Sequence, residues 1–185
     1  PNPTMQVNAS RITLKYGQST TGLKVTGLQS GDYVQSYKSS NTKIFKVNGN
    51  GKITAKKKAG SATLTITLKS GLSRNVTVTV QKGTVKTAKV SGVAKKITLN
   101  KGKKYTLKPV ITPFTSQEKV TYTSSNKKVA KVTSRGVITA KKSGTAKITV
   151  KSGKKKAVLT VTVPKTATKS ISVASAVSVK KGKTY

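Results

Sequence analysis

The chain has no cysteine, no histidine and no tryptophan, and its acidic residues number two, Asp32 and Glu118. Without cysteine there is no disulfide, no thiolate metal site and no thiol nucleophile, so the hydrophobic core alone must hold the fold. Without histidine the usual general base of neutral pH is missing. Asp32 and Glu118 do not occupy equivalent places in the sequence. A paired-carboxylate site, or a calcium cage built from several carboxylates, therefore has no residues to draw on. Hydrolytic, transfer and redox sites need such groups, a metal or an organic cofactor. The inventory argues against an enzyme, and neither a cofactor nor a metal is expected. No signal peptide is visible. Apolar residues alternate with Thr and Ser, no run is long enough to cross a bilayer, and no membrane insertion is expected.

What is abundant is positive charge. The 185 residues carry 38 Lys and Arg against 2 acids, a net charge of +36. Arginine appears at Arg11, Arg74 and Arg135, and the rest is lysine. Such a field attracts polyanions and repels like-charged copies. Lysine is a compact hydrated point charge and lacks the planar fork of arginine. This surface suits loose attraction to many phosphates or carboxylates more than readout of one of them.

The sequence also repeats itself. Tyr37-Lys38-Ser39-Ser40-Asn41 returns as Tyr122-Thr123-Ser124-Ser125-Asn126, and the run Gly51 to Lys57 returns as Gly136 to Lys142, both at an offset of 85 residues. A third copy begins around Val177-Ser178-Val179-Lys180-Lys181-Gly182. Repeats fix architecture before any other signal does. They divide the chain into residues 1–83, residues 84–164, and an incomplete third repeat at 165–185. The opening at Pro1 and the broken third copy lead us to expect a piece of a longer protein, covalently continuous with further domains.

Period-2 alternation dominates each copy. Leu64-Thr65-Ile66-Thr67-Leu68 and Val76-Thr77-Val78-Thr79-Val80 place aliphatics on one face and threonines on the other. Ile148-Thr149-Val150 and Leu159-Thr160-Val161-Thr162-Val163 do the same in the second copy. β-Branched residues at this spacing predict strands, and the Gly-containing turns between them predict two-sheet sandwiches. Lys69-Ser70-Gly71 and Lys151-Ser152-Gly153 are expected to form the hairpin turn between the last two strands of each copy. Gln81 to Thr84 and Pro164 to Thr168 are the expected linkers, short enough to string the domains end to end.

These motifs resemble the bacterial immunoglobulin-like domain, group 2, found in intimin- and invasin-type adhesins, other bacterial surface proteins and some phage virion proteins. The second copy carries the pattern from Leu99 and Gly102 through Tyr122 to Asn126, Val129 to Val132, Gly136 to Ala140, and Gly144-Thr145-Ala146-Lys147-Ile148-Thr149-Val150. The first copy is looser, ending Gly60-Ser61-Ala62-Thr63-Leu64. The resemblance implies an all-β fold of tandem immunoglobulin-like antiparallel β-sandwiches, an extracellular place on a bacterial surface or cell wall, or on a phage virion, and a spacer or adhesive role. The family often has Trp where this chain has Tyr37 and Tyr122, expected as core aromatics. Calcium binding, described for some members, does not carry over because the acids are missing.

Several motifs are expected to be structural. The Ser-Ser-Asn segments close local turns, and Gly51, Gly60, Gly136 and Gly144 supply turns rather than a phosphate loop. An internal Lys–Asn isopeptide bond would need an equivalent buried acid, which is lacking. The lysine clusters are the candidate functional feature: Lys43, Lys46, Lys56, Lys57 and Lys58 in the first copy, and Lys128, Lys131, Lys141, Lys142, Lys154, Lys155 and Lys156 in the second. Lys43, Lys46, Lys56 and Lys57 recur at the 85-residue offset, so a basic patch repeats with the module. Lysine also guards exposed strand edges, so solubility and polyanion contact both remain open readings. The expected function is a spacer or stalk whose lysines meet an anionic wall polymer. The alternative is an adhesin for acidic glycans. Nucleic acid ranks below both because a stacking platform is not evident among so few aromatics.

Overall fold

The computed structural model describes residues 2–165. The third repeat beyond Lys165, with the expected strand pairing of Ile171 to Val173 and Val177 to Val179, lies outside the described residues. Those that are described form strands and connections without a helix.

The first module contains β1 (Gln6–Val7), β2 (Arg11–Lys15), β3 (Ser19–Thr20), β4 (Val25–Thr26), β5 (Val34–Ser39), β6 (Phe45–Val47), β7 (Ile53–Ala55), β8 (Gly60–Leu68) and β9 (Ser73–Gln81). The second contains β10 (Lys89–Ser91), β11 (Lys96–Thr98), β12 (Lys104–Thr106), β13 (Val110–Thr112), β14 (Val120–Ser124), β15 (Ala130–Val132), β16 (Val137–Ala140), β17 (Gly144–Ser152) and β18 (Lys155–Val163). A four-stranded sheet ordered β2-β9-β8-β5 faces a three-stranded sheet ordered β3-β7-β6, and the second module repeats this as β11-β18-β17-β14 and β12-β16-β15. Small ribbons β1-β4 and β10-β13 complete them.

The alternation in sequence is the cause of this layering. Along β8 each of Ala62, Leu64, Ile66 and Leu68 is buried, while the threonines between them are not. Val76, Val78 and Val80 meet them from β9, and Phe45, Ile53 and Ala55 close the core from the opposite sheet. Ile148, Val150, Leu159 and Val161 meet Ala130, Ile138 and Ala140 in the same way in a separate second core. Each fully buried aliphatic contributes about 1.5–3 kcal/mol, which is how a domain without disulfides stays folded.

All the pairings are antiparallel except one in each module: β2 runs parallel to β9, with Ile12 opposite Val78, and β11 runs parallel to β18, with Ile97 opposite Val161. The first long strand of a module therefore points the same way as the last. The chain enters each module at one end and leaves it at the other.

The Ser-Ser-Asn segments are pinned at three points. Ser39 Oγ donates to Phe45 O at 3.0 Å, Asn41 Oδ1 accepts from Lys43 N at 3.0 Å, and Ser40 exchanges hydrogen bonds with Thr63 of β8. Ser124, Asn126 and Ser125 repeat these contacts with Ala130, Lys128 and Lys147. Tyr37 and Tyr122, expected as core aromatics, are half-buried against their cores rather than fully enclosed, and each ring packs on a buried glycine, Gly51 or Gly136.

Two sequence expectations need correction. Lys151 and Ser152 are not in the hairpin turn: they extend β17 and pair with Lys156 and Lys155, leaving a turn of Gly153 and Lys154. Gln81 is not in the linker, since it continues β9 and pairs with Lys15.

Candidate polyanion surface and the module joint

The repeated lysines gather at one edge of each module. Lys46 lies on β6, opposite Thr54 of β7, and Lys56 follows directly, its N–H donating to Ile44 O at 2.8 Å. Lys43 caps the turn before β6, and Lys57 and Lys58 continue the loop. All are exposed except Lys56, which is half-buried. Lys128, Lys131, Lys141 and Lys142 form the same edge on the second module, where Lys141 N and Lys142 N both donate to Val129 O. Lys154, Lys155 and Lys156 stand apart from them, on the exposed β17–β18 hairpin.

Cross-strand register sets other lysines beside these, of which Lys147 and Lys151 were not singled out by spacing along the sequence. Lys104 and Lys131 flank Thr139 on the three-stranded sheet of the second module. On its four-stranded sheet Lys96 and Lys147 flank Thr160, and Lys151 lies directly opposite Lys156. The period-2 pattern puts Lys147 and Lys151 on the threonine face, but pairing them with β18 requires the turn length.

Both acids are committed to hydrogen bonds. Asp32 accepts from Ser70 Oγ at 2.6 Å, from Ser70 N and from Tyr33 N. The Ser70 hydroxyl is the main reason its carboxyl is held below the ordinary value of 3.8. Glu118 Oε2 accepts from Thr87 N at 2.7 Å. Thr87 Oγ1 lies 2.7 Å from both Ser116 Oγ and Ser152 Oγ, and Ser152 Oγ donates to Glu118 O. Gly153 has a φ of 55°, which favours glycine, and a side chain there would displace the Glu118 carboxylate. Among the described residues no group of three His, Cys, Asp or Glu residues could hold a metal.

The connection between the modules is a docked segment. Val85 and Thr87 are buried, and Gln117 N donates to Val85 O at 3.0 Å. Across the joint, Gln18 Nε2 donates to Thr115 O at 2.8 Å. The Phe114 ring covers Gly22 so closely that a Cβ there would lie 2.5 Å from a ring carbon. Thr115 is buried at the same place, and its hydroxyl has no hydrogen-bond partner.

Residues 88–163 match the family of bacterial Ig-like domains, group 2. A kappa-carrageenase from Pseudoalteromonas carrageenovora is 51% identical over 63 residues, which is 34% of this chain and 16% of that enzyme. Among solved structures, domains 4 and 5 of the S-layer protein SbsC align with 89% of this chain and 98% of that one, at 19% identity and a TM-score of 0.42. A GH10 xylanase from termite gut that contains a bacterial Ig-like domain aligns over 37% of this chain and 18% of that one, at 28% identity and a TM-score of 0.33. The sandwich topology, the repeated Tyr-x-Ser-Ser-Asn pins and the family match agree: residues 88–163 form a bacterial Ig-like domain of group 2.

Proposed function

We propose that the chain is a non-catalytic module of a bacterial surface protein, a spacer whose lysines also contact anionic wall polymers. One observation carries the spacer reading: the connection between modules is docked, with Val85 and Thr87 buried and Gln18 bonded to Thr115 across the joint. A chain that enters each module at one end and leaves at the other turns each added module into added length. A joint held by packing and hydrogen bonds passes that length on without collapse. The kappa-carrageenase matched over 16% of its length fits a module carried beside other parts of a longer protein.

Net charge supports the second half of the proposal. The lysine edges are largely exposed and recur with the module, and the chain holds 2 acids against 38 Lys and Arg. Wall polymers such as teichoic acid present anions in series, so repeated weak contacts add through avidity.

The test is co-sedimentation with purified Gram-positive walls, with and without teichoic acid, over a salt series. Retention that requires teichoic acid and fades as salt rises above about 0.15 M, where the Debye length is about 8 Å, supports wall contact. No retention at about 0.15 M leaves the lysines as a solubility device on a plain spacer. Saturable, selective binding of one glycan would favour an adhesin instead.

A further inference from the structure

The two modules differ on the outer face of the four-stranded sheet. In the first module the two central strands face outward with hydroxyls and an amide that bond to one another: Ser61 Oγ to Thr79 Oγ1 at 2.8 Å, Thr65 Oγ1 to Asn75 Oδ1 at 3.0 Å, and Thr67 Oγ1 to Ser73 Oγ at 3.0 Å, with Arg11 and Lys15 on β2 and Lys38 on β5 beside them. In the second module the counterparts of these rows are Thr145–Thr162, Thr149–Val158 and the charged pair Lys151–Lys156. Lys151 of β17 is directly opposite Lys156 of β18, and four residues further along the strands Lys147 and Lys96 flank Thr160. All four lysines are exposed. Between the two charged rows lies Val158, opposite Thr149 and 41% exposed.

This arrangement costs stability. Directly opposed side chains have Cβ atoms about 5 Å apart, and like charges there repel. Asp32 lies in the other module, and the Glu118 carboxylate sits against the Gly153 turn and accepts from Thr87 N rather than from either lysine. In the first module the places of Lys147, Lys151 and Lys156 are taken by Thr63, Thr67 and Ser73, and Thr67 and Ser73 bond to each other. A repulsive pair kept on an exposed flat face, beside an exposed valine, has the character of a binding surface rather than of a solvated edge.

We infer that the β11-β18-β17-β14 face of the second module binds an extended acidic polysaccharide, rests on the wall-polymer reading, and gives that reading an ordered site. The two charged rows are about 13 Å apart along the strands, and Lys96 and Lys147 about 10 Å apart across them. Lysine stems are long enough to bring ammonium groups onto successive sulfate or carboxylate groups of one chain. Val158 sits where the apolar face of a sugar ring would lie between them. Nucleic acid fits less well. The exposed aromatics Tyr33, Tyr105 and Phe114 lie on the other module, the other sheet and the joint, so the face has no platform for bases.

The test uses the full chain and fluorescent dextran sulfate, polygalacturonate, neutral dextran and duplex DNA, each at about 0.15 M salt. A triple variant, Lys147→Thr, Lys151→Thr and Lys156→Ser, gives the face the residue types of the first module. A charge-matched control, Lys24→Ser, Lys69→Ser and Lys82→Ser, removes the same charge from exposed positions of the first module outside its lysine edge. The expected result is about tenfold weaker binding of an acidic polysaccharide by the face variant, against less than about threefold for the control. Its melting temperature should be unchanged or higher, since the repulsive pair is gone. Dextran sulfate and polygalacturonate separate sulfate from carboxylate recognition. Equal losses in both variants would overturn the face and leave charge-driven wall contact standing. Failure of the unaltered chain to bind either acidic polysaccharide would overturn this site, while retention on teichoic acid-bearing walls decides the wall-polymer reading separately. Equal binding of neutral dextran, or tighter binding of DNA, would overturn the assignment to acidic polysaccharide.

Discussion

The Tyr37 ring rests on Gly51 so closely that a Cβ at that glycine would lie 2.8 Å from the ring's Cζ. The second module repeats the contact between Tyr122 and Gly136, at 2.9 Å. Both glycines also have positive φ, 73° and 78°. The turn and the aromatic thus depend on each other, which explains why the two motifs recur together in the sequence.

Replacing either glycine with alanine adds left-handed backbone strain to a steric clash. Gly51→Ala and Gly136→Ala should each cost about 2–4 kcal/mol in urea unfolding followed by circular dichroism. Gly49→Ala, with nothing within 4 Å of its Cβ and no positive φ, should change stability by less than about 0.5 kcal/mol. Equal small effects at all three positions would show that the ring gives way.

Tyr37 should also leave a signature in alkali. Burial raises its hydroxyl pKa above the ordinary 10.0. The folded state therefore favours the protonated phenol. The associated stability is present in full below the unfolded pKa and is lost as pH climbs through the folded one. Tyr37→Phe should track the unaltered protein's pH dependence up to about pH 10 and become relatively more stable above it, since the lysines titrate in both. Parallel unfolding curves at pH 8 and pH 11 would contradict this.

At the joint, Thr115 buries a hydroxyl without a partner, while its carbonyl takes the Gln18 amide. Thr115→Val keeps the shape and the carbonyl but removes the unpaired hydroxyl. It should be neutral or stabilising by up to about 1 kcal/mol. A loss of more than about 1 kcal/mol would mean that the hydroxyl is satisfied in solution.

Glu118 ties down the segment that links the modules. Glu118→Ala leaves Thr87 N without its carboxylate acceptor and should cost about 1–3 kcal/mol. Cleavage by trypsin at exposed Lys86 should accelerate. Glu118→Gln, which keeps an acceptor oxygen, should lie between the two. An unchanged digestion rate in Glu118→Ala would show that burial of Val85 holds the segment by itself.

Much of the fold was legible because threonine–aliphatic alternation states both the strand and its buried face. The 85-residue repeat located both modules' motifs, and the Ser-Ser-Asn turns followed from side chains that bond their own backbone. What was not legible depends on pairing between distant segments. The parallel approach of β2 to β9 cannot be read from either strand, because both alternate in the same way. The opposition of Lys151 and Lys156 depends on a turn of Gly153 and Lys154, and the Lys-Ser-Gly similarity to the first module suggested a longer turn. The joint was missed for a related reason. Phe114, Thr115 and Gln18 lie in loops without periodicity, and Gln81 to Thr84 had the composition of an ordinary linker.

The central claim, that the two modules are held as one spacer, can be tested because the chain lacks cysteine. Asn50→Cys and Ser134→Cys place one spin label on an exposed turn of each module, with no other thiol to react. Pulsed electron–electron resonance then reads the distance distribution between modules. The account predicts a single narrow peak that broadens when Gln18→Ala and Phe114→Ala are added. A broad distribution in the chain with its joint intact would contradict it, and the modules would be beads on a flexible string.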